Sequence, residues 1–118
     1  MANALAVQGI KLHVYPVKDL EKAKAVFTKL LGTEPYADSP YYVGFKVGDQ
    51  EIGLDPNAHR NGITAPLDYF QVADVETSFH ALVKAGVEVH QPLKEVSPGL
   101  KIAIMKDADG NLIGLTQK

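Results

Sequence analysis

The chain repeats itself, and that constrains its fold more than anything else in it. The phrase Val17-Lys18-Asp19-Leu20-Glu21 returns as Val72-Ala73-Asp74-Val75-Glu76, an offset of 55 residues (17 to 72). Each copy follows a short β-prone run, Ile10 to Tyr15 and Leu67 to Gln71. Each precedes a helical pattern closed by glycine, Gly32 and Gly86. Each half then ends on the same tripeptide, Ile52-Gly53-Leu54 and Ile113-Gly114-Leu115, at an offset of 61 (52 to 113). Two landmarks in the same order within 118 residues predict a duplicated module inside one domain.

Local chemistry fills in each module. Asp19 and Asp74 stand at N-cap positions, where a carboxylate accepts the free N–H groups of the first turn. Leu20, Ala23, Val26, Phe27, Leu30 and Leu31 follow Asp19 at helical spacing, and Val75, Phe79 and Leu82 follow Asp74. Tyr41 to Val47 alternates, turns at Gly48-Asp49 and returns as Gln50 to Leu54. Leu100 to Met105 turns through Asp107-Ala108-Asp109-Gly110 and returns as Asn111 to Leu115, a strong hairpin signal. Val87 to Val89 reads as a short strand, and a strand near Pro35 to Asp38 should match it in the first half. Asp55 to Thr64 and Gln91 to Gly99 read as polar loops. The result is an α+β fold of two βαβββ modules in tandem, the first over about 9–55 and the second over about 66–117.

Composition excludes several function classes. With 12 basic and 14 acidic residues the formal net charge is −2, so neither nucleic acid nor an anionic membrane surface is an expected partner. There is no cysteine, which removes disulfides, thiolate metal sites and cysteine nucleophiles. No apolar run approaches the roughly 20 residues of a bilayer span. The opening residues lack a signal peptide's charged region, so the expected location is cytoplasmic.

Two phrases carry a resemblance. One runs from Val17-Lys18-Asp19-Leu20-Glu21-Lys22-Ala23 through Phe27 to Leu30-Leu31-Gly32. The other is Asp107-Ala108-Asp109-Gly110-Asn111-Leu112-Ile113. Together the chain resembles the glyoxalase / bleomycin-resistance / extradiol-dioxygenase superfamily, the vicinal oxygen chelate fold, from about Gly9 to Gln117. The resemblance implies a curved mixed sheet with helices on its convex face and a ligand on its concave face. Metal-dependent members place a His or Glu seven residues before the capping Asp, and carboxylates on the last strand of a module. Carried over, those positions are Leu12, Leu67, Gly53 and Gly114, none of which can coordinate a metal. A divalent ion needs about three oxygen or nitrogen ligands. No metal site and no cofactor are therefore expected. One shifted arrangement is conceivable, a paired one-residue slip of His13 and Glu51.

In this register the candidate ligand-binding residues are Leu12 and Val14, Leu67, Tyr69 and Gln71, with Gly53 and Gly114 opening room. Tyr36, Tyr41, Tyr42 and Phe45 crowd the neighbouring strands and offer rings for stacking. No catalytic residue is assigned. Ser39, Ser78 and Ser97 lack a nucleophile-elbow phrase, and Asp107 and Asp109 belong to a turn. The resemblance implies a metal-free protein of the bleomycin-resistance type that sequesters a small organic molecule, aromatic or cationic, as a homodimer. The alternatives are a metal-dependent lyase, isomerase or dioxygenase with an atypical metal site, and an accessory dimer without a ligand. The lead-in Ala2 to Val7 could supply an edge to such a dimer.

Overall fold

A computed structural model describes residues 7–117. Of the lead-in Ala2 to Val7, considered above as a dimer edge, all but Val7 lies outside the described residues. The chain is α+β, with eight strands and two α-helices among the described residues. It divides into two compact units, one over Lys11–Leu67 and one joining 68–117 to residues 7–10. β1 (Val7–Pro16), α1 (Leu20–Leu31), β2 (Ala37–Ser39), β3 (Tyr42–Val47) and β4 (Gln50–Asp55) make the first βαβββ module. β5 (Leu67–Val72), α2 (Val75–Lys84), β6 (Glu88–Ser97), β7 (Leu100–Lys106) and β8 (Leu112–Gln117) make the second. The strand orders correspond, β2-β3-β4-β1 and β5-β8-β7-β6. In each module the first and last strands pair in parallel, and the other pairs are antiparallel.

The helices begin where the aspartates are. The Asp19 side chain accepts from the Lys22 N–H at 3.1 Å, and that of Asp74 from Thr77 at 3.2 Å. Gly32 takes the left-handed conformation at φ 67° and returns its N–H to the Thr28 carbonyl. Leu20, Ala23, Phe27 and Leu31 of α1 pack on Val43, Phe45 and Leu54 of the sheet. The Phe27 ring lies 5.2 Å from Tyr15 and 6.4 Å from Phe45. In the second module Val72, Val75, Met105 and Leu115 form the corresponding cluster, with Phe79 and Leu82 of α2 against it. Each helix thus covers one face of its own strands and leaves the other to different chemistry.

One expected loop is a strand. Gln91 to Gly99 reads as polar and breaker-rich, yet β6 runs to Ser97 through Pro92. Register shifts between Val89 and Gln91, Gln91 and Lys94, and Glu95 and Ser97 absorb the residues that do not suit a regular ladder. β6 ends the strand order, where a proline removes no required donor. The Asp55 to Thr64 loop contains one 3₁₀ turn, Ala58–Asn61. Among the described residues no helix is long and apolar enough to cross a membrane.

Phe45 is fully buried at the centre of the first cluster. Phe45→Ala is expected to destabilise the protein by about 3–5 kcal/mol, read from the midpoint of urea unfolding.

Candidate functional site

Strand alternation decides which side chains share the face that α1 leaves open. Leu12 pairs with Glu51 and Val14 with Gly53 across β1 and β4. Gly44 pairs with Gly53 and Lys46 with Glu51 across β3 and β4. Tyr15, Ile52, Leu54, Val43 and Phe45 pack with α1. The opposite face of the first module therefore carries Leu12, Val14, Tyr42, Gly44, Lys46, Glu51 and Gly53. Tyr36, just before β2, joins it through its N–H bond to the Gly44 carbonyl at 2.9 Å.

Glycine at 53 and 114 does not leave open room, which corrects the expectation from sequence. A Cβ on Gly53 would lie 2.7 Å from Tyr42 Cζ, and one on Gly114 would lie 2.6 Å from Tyr69 Cδ1. A Cβ on Gly44 would likewise lie 2.9 Å from Tyr36 Cε2. Each glycine is the seat of a tyrosine ring laid across the strand. The missing side chain is what allows the close approach.

The polar centre of this face is Glu51. The Tyr36 hydroxyl donates to Glu51 Oε1. Partial burial, followed by that hydrogen bond, pushes the Tyr36 phenol well above its usual range. Burial also raises Tyr42, to about 12, with the negative charges of Glu51 and Asp55 adding to the effect. Both phenols are therefore neutral hydrogen-bonding groups at physiological pH, standing beside carboxylate charge. The Lys46 ammonium sits 4.8 Å from the centre of the Tyr36 ring, so that ring already receives a cation.

The other residues expected from sequence lie in several environments. Val14 is buried, as are Leu67 and Tyr69. Leu12 is half-buried. In the second module the helix-free face brings together Tyr69 and Gly114, and Gln71 and Thr116. Gln71 Nε2 donates to Gln8 Oε1 at 3.1 Å. Thr116 Oγ1 is buried without a hydrogen-bond partner. Tyr41 is exposed, and Phe45 belongs to the core under α1. Asp107 is a turn former: its carboxylate accepts from the backbone N–H of Asp109 at 2.9 Å and of Asn111 at 2.8 Å.

The paired slip of His13 and Glu51 fails on register. His13 is opposite Ile52, on the α1 side, where its Nε2 meets Gln50 Oε1 at 3.2 Å. Glu51 is opposite Leu12, on the other face. It stands two residues from Gly53, not one, and so shares that glycine's face. Counting back from Gly53 by two would have found it in the sequence. Leu12, Gly53, Leu67 and Gly114 occupy the ligand positions that the resemblance implies, and none has a donor side chain. A carboxylate at 53 or 114 would also collide with a tyrosine ring. Among the described residues no three His, Asp or Glu side chains are grouped to hold a metal ion. The residues present do not fit the family's divalent ion.

The sequence profile of the Glyoxalase/Bleomycin resistance protein/Dioxygenase superfamily matches residues 9–115. The chain belongs to that superfamily. No curated protein matches it in sequence. Its fold is similar to that of methylmalonyl-CoA epimerase from Mycobacterium tuberculosis, with a TM-score of 0.75 and 18% identity over 99% of this chain and 92% of that one. A superfamily member from Vibrio splendidus 12B01 gives a TM-score of 0.72 and 17% identity over 97% and 99%. The Mn(II)-bound glyoxalase from Novosphingobium aromaticivorans gives 0.70 and 19%, over 96% of this chain and 40% of that one. At these identities the likeness extends to the fold.

Two outcomes test the site's geometry. Gly114→Ala is expected to cost about 1–3 kcal/mol in urea unfolding, with part of the loss relieved in the background of Tyr69→Ala, since the Asp68 carbonyl still lies 3.0 Å from the added Cβ. With five tyrosines and no tryptophan, phenol ionisation is readable at 295 nm. Glu51→Gln is expected to lower Tyr36 and Tyr42 while leaving both above an ordinary phenol value, because burial is the larger cause of each shift.

Proposed function

We propose that this superfamily member is a small-molecule-binding protein that takes an aromatic cation on the helix-free face of its first module, without a metal ion. The observation that supports this reading is Glu51 with Tyr36 and Tyr42 around it on a face that also carries Leu12, Val14 and Lys46. A carboxylate attracts the charge, the rings accept it on their faces, and the aliphatic groups cover the apolar part of the ligand. The Lys46 ammonium over the Tyr36 ring supports this reading, since it is the kind of contact a cationic ligand would make there. The site residues are then Leu12, Val14, Tyr36, Tyr42 and Glu51, with Gly53 admitting Tyr42 rather than touching the ligand. In the second module Gln71 and Tyr69 offer the polar handles of its own helix-free face, with Leu67 and Gly114 beneath them. A homodimer accords with this reading.

The epimerase and the Mn(II)-bound glyoxalase share the fold, and their chemistry does not transfer to positions 12, 53, 67 and 114 of this chain. Sequestration needs no reacting group, only desolvation and charge complementarity.

Calorimetric titration with benzyltrimethylammonium tests the reading. Saturable binding is expected, weakened about tenfold by Glu51→Gln and tightened a few-fold by Lys46→Ala, which frees the Tyr36 ring. Absent saturation, or binding indifferent to Glu51→Gln, would reject it.

A further inference from the structure

The helix-covered side of the second unit contains a gap at a position where the first unit has a ring of its own. By the repeat offsets, Phe70, Val72, Ser78 and Leu82 answer to Tyr15, Val17, Ala23 and Phe27, and Ile113 and Leu115 answer to Ile52 and Leu54. All six first-module residues pack in one core cluster, with the Phe27 ring between Tyr15 and Phe45. In the second module Leu82 stands where Phe27 stands. Pairing with β8 places Met105 opposite Ile113, as Phe45 lies opposite Ile52. Leucine lacks the outer half of a phenyl ring, and the frame around it has not closed. The six counterparts, with Val7, line a cavity of about 180 Å³ whose exposed wall is hydrocarbon.

We propose that this cavity under α2 binds a single neutral aromatic ring, a molecule of toluene's size. Its volume suits one ring, since dry protein cavities of about 150 Å³ lined by Leu, Ile and Phe take benzene. Water gains nothing there, because the wall offers it no hydrogen-bond partner. The shape is inherited from a position that holds a phenyl ring in the sister module, and Phe70 supplies an aromatic neighbour as Tyr15 does for Phe27. Val7, 55% exposed, stands at the rim and leaves a way in. The site lies on the side of the second unit that faces α2. It is independent of Glu51 and of the cation reading.

The experiment uses the full chain with methyl-labelled Leu, Ile and Val, titrated with toluene and followed by NMR. Saturable binding is expected at about 0.1–1 mM, ordinary for so few heavy atoms. Intermolecular NOEs should run from toluene to the methyls of Leu82, Ile113 and Leu115. Leu82→Phe should reduce the affinity at least about tenfold and raise the melting temperature by roughly 3–6 °C, because the new ring occupies the gap. Glu51→Gln should leave toluene binding unchanged. Non-saturable binding, or NOEs confined to other residues, would overturn the proposal whatever the fate of Leu82→Phe. So would binding that appears only after residues 1–6 are deleted, which would give the cavity to the chain's own lead-in.

Discussion

A steric exchange organises the helix-free faces: a strand residue gives up its side chain, and a tyrosine on a neighbouring segment lays its ring in the space. Gly44 receives Tyr36, Gly53 receives Tyr42, and Gly114 receives Tyr69. Glycine in a strand ordinarily weakens it, through lost packing and greater freedom in the unfolded chain. Here the ring restores the packing, and the register of both modules comes to depend on the pair. The same exchange shapes the chemistry. Positions from which carboxylates would project in a metal-dependent relative are closed to any side chain by the rings that cover them.

Electrostatics follow from that packing. Once Tyr42 lies over Gly53 and Tyr36 over Gly44, both phenols come within the influence of Glu51, and partial burial keeps them protonated. The carboxylate accepts from the neutral Tyr36 hydroxyl. Lys46 answers it from the adjacent strand and meets the Tyr36 ring as well. The face therefore combines aromatic rings with one carboxylate and one ammonium group.

On the other side of the sheet the two modules start from one plan and diverge in how they fill it. The aspartate N-cap and the strand order are shared, while Tyr15–Phe27–Phe45 becomes Phe70–Leu82–Met105. Two rings replaced by leucine and methionine keep the hydrophobicity and give up volume at those positions. Interiors are close-packed, so a lost half-ring appears as space unless the backbone moves, and backbone tied into a sheet moves little. A duplicated frame thus preserves the outline of a side chain that one copy no longer has.

Much of this architecture was legible in the amino-acid sequence, because local chemistry specifies it. Asp19 and Asp74 mark helix starts, Gly32 marks a stop, Asp107 to Gly110 marks a turn, and the repeat sets the order of elements. The superfamily resemblance rested on those phrases, and it placed residues without donor atoms at positions 12, 53, 67 and 114. The fate of Gln91 to Gly99 was not legible, since a bulged edge strand looks like a loop when only composition is read. Glu51 was within reach of the sequence, two residues before Gly53 on the same face, but the tyrosines around it were not, since only strand pairing brings Tyr36 and Tyr42 to it and sends His13 to the opposite side. Whether a glycine leaves a hole or seats a ring depends on how far a tyrosine on another strand can reach, and that is a distance in space that sequence separation does not encode. Residue identity determined which chemistries this protein can attempt; the folding of one strand against the next decided which of its side chains meet.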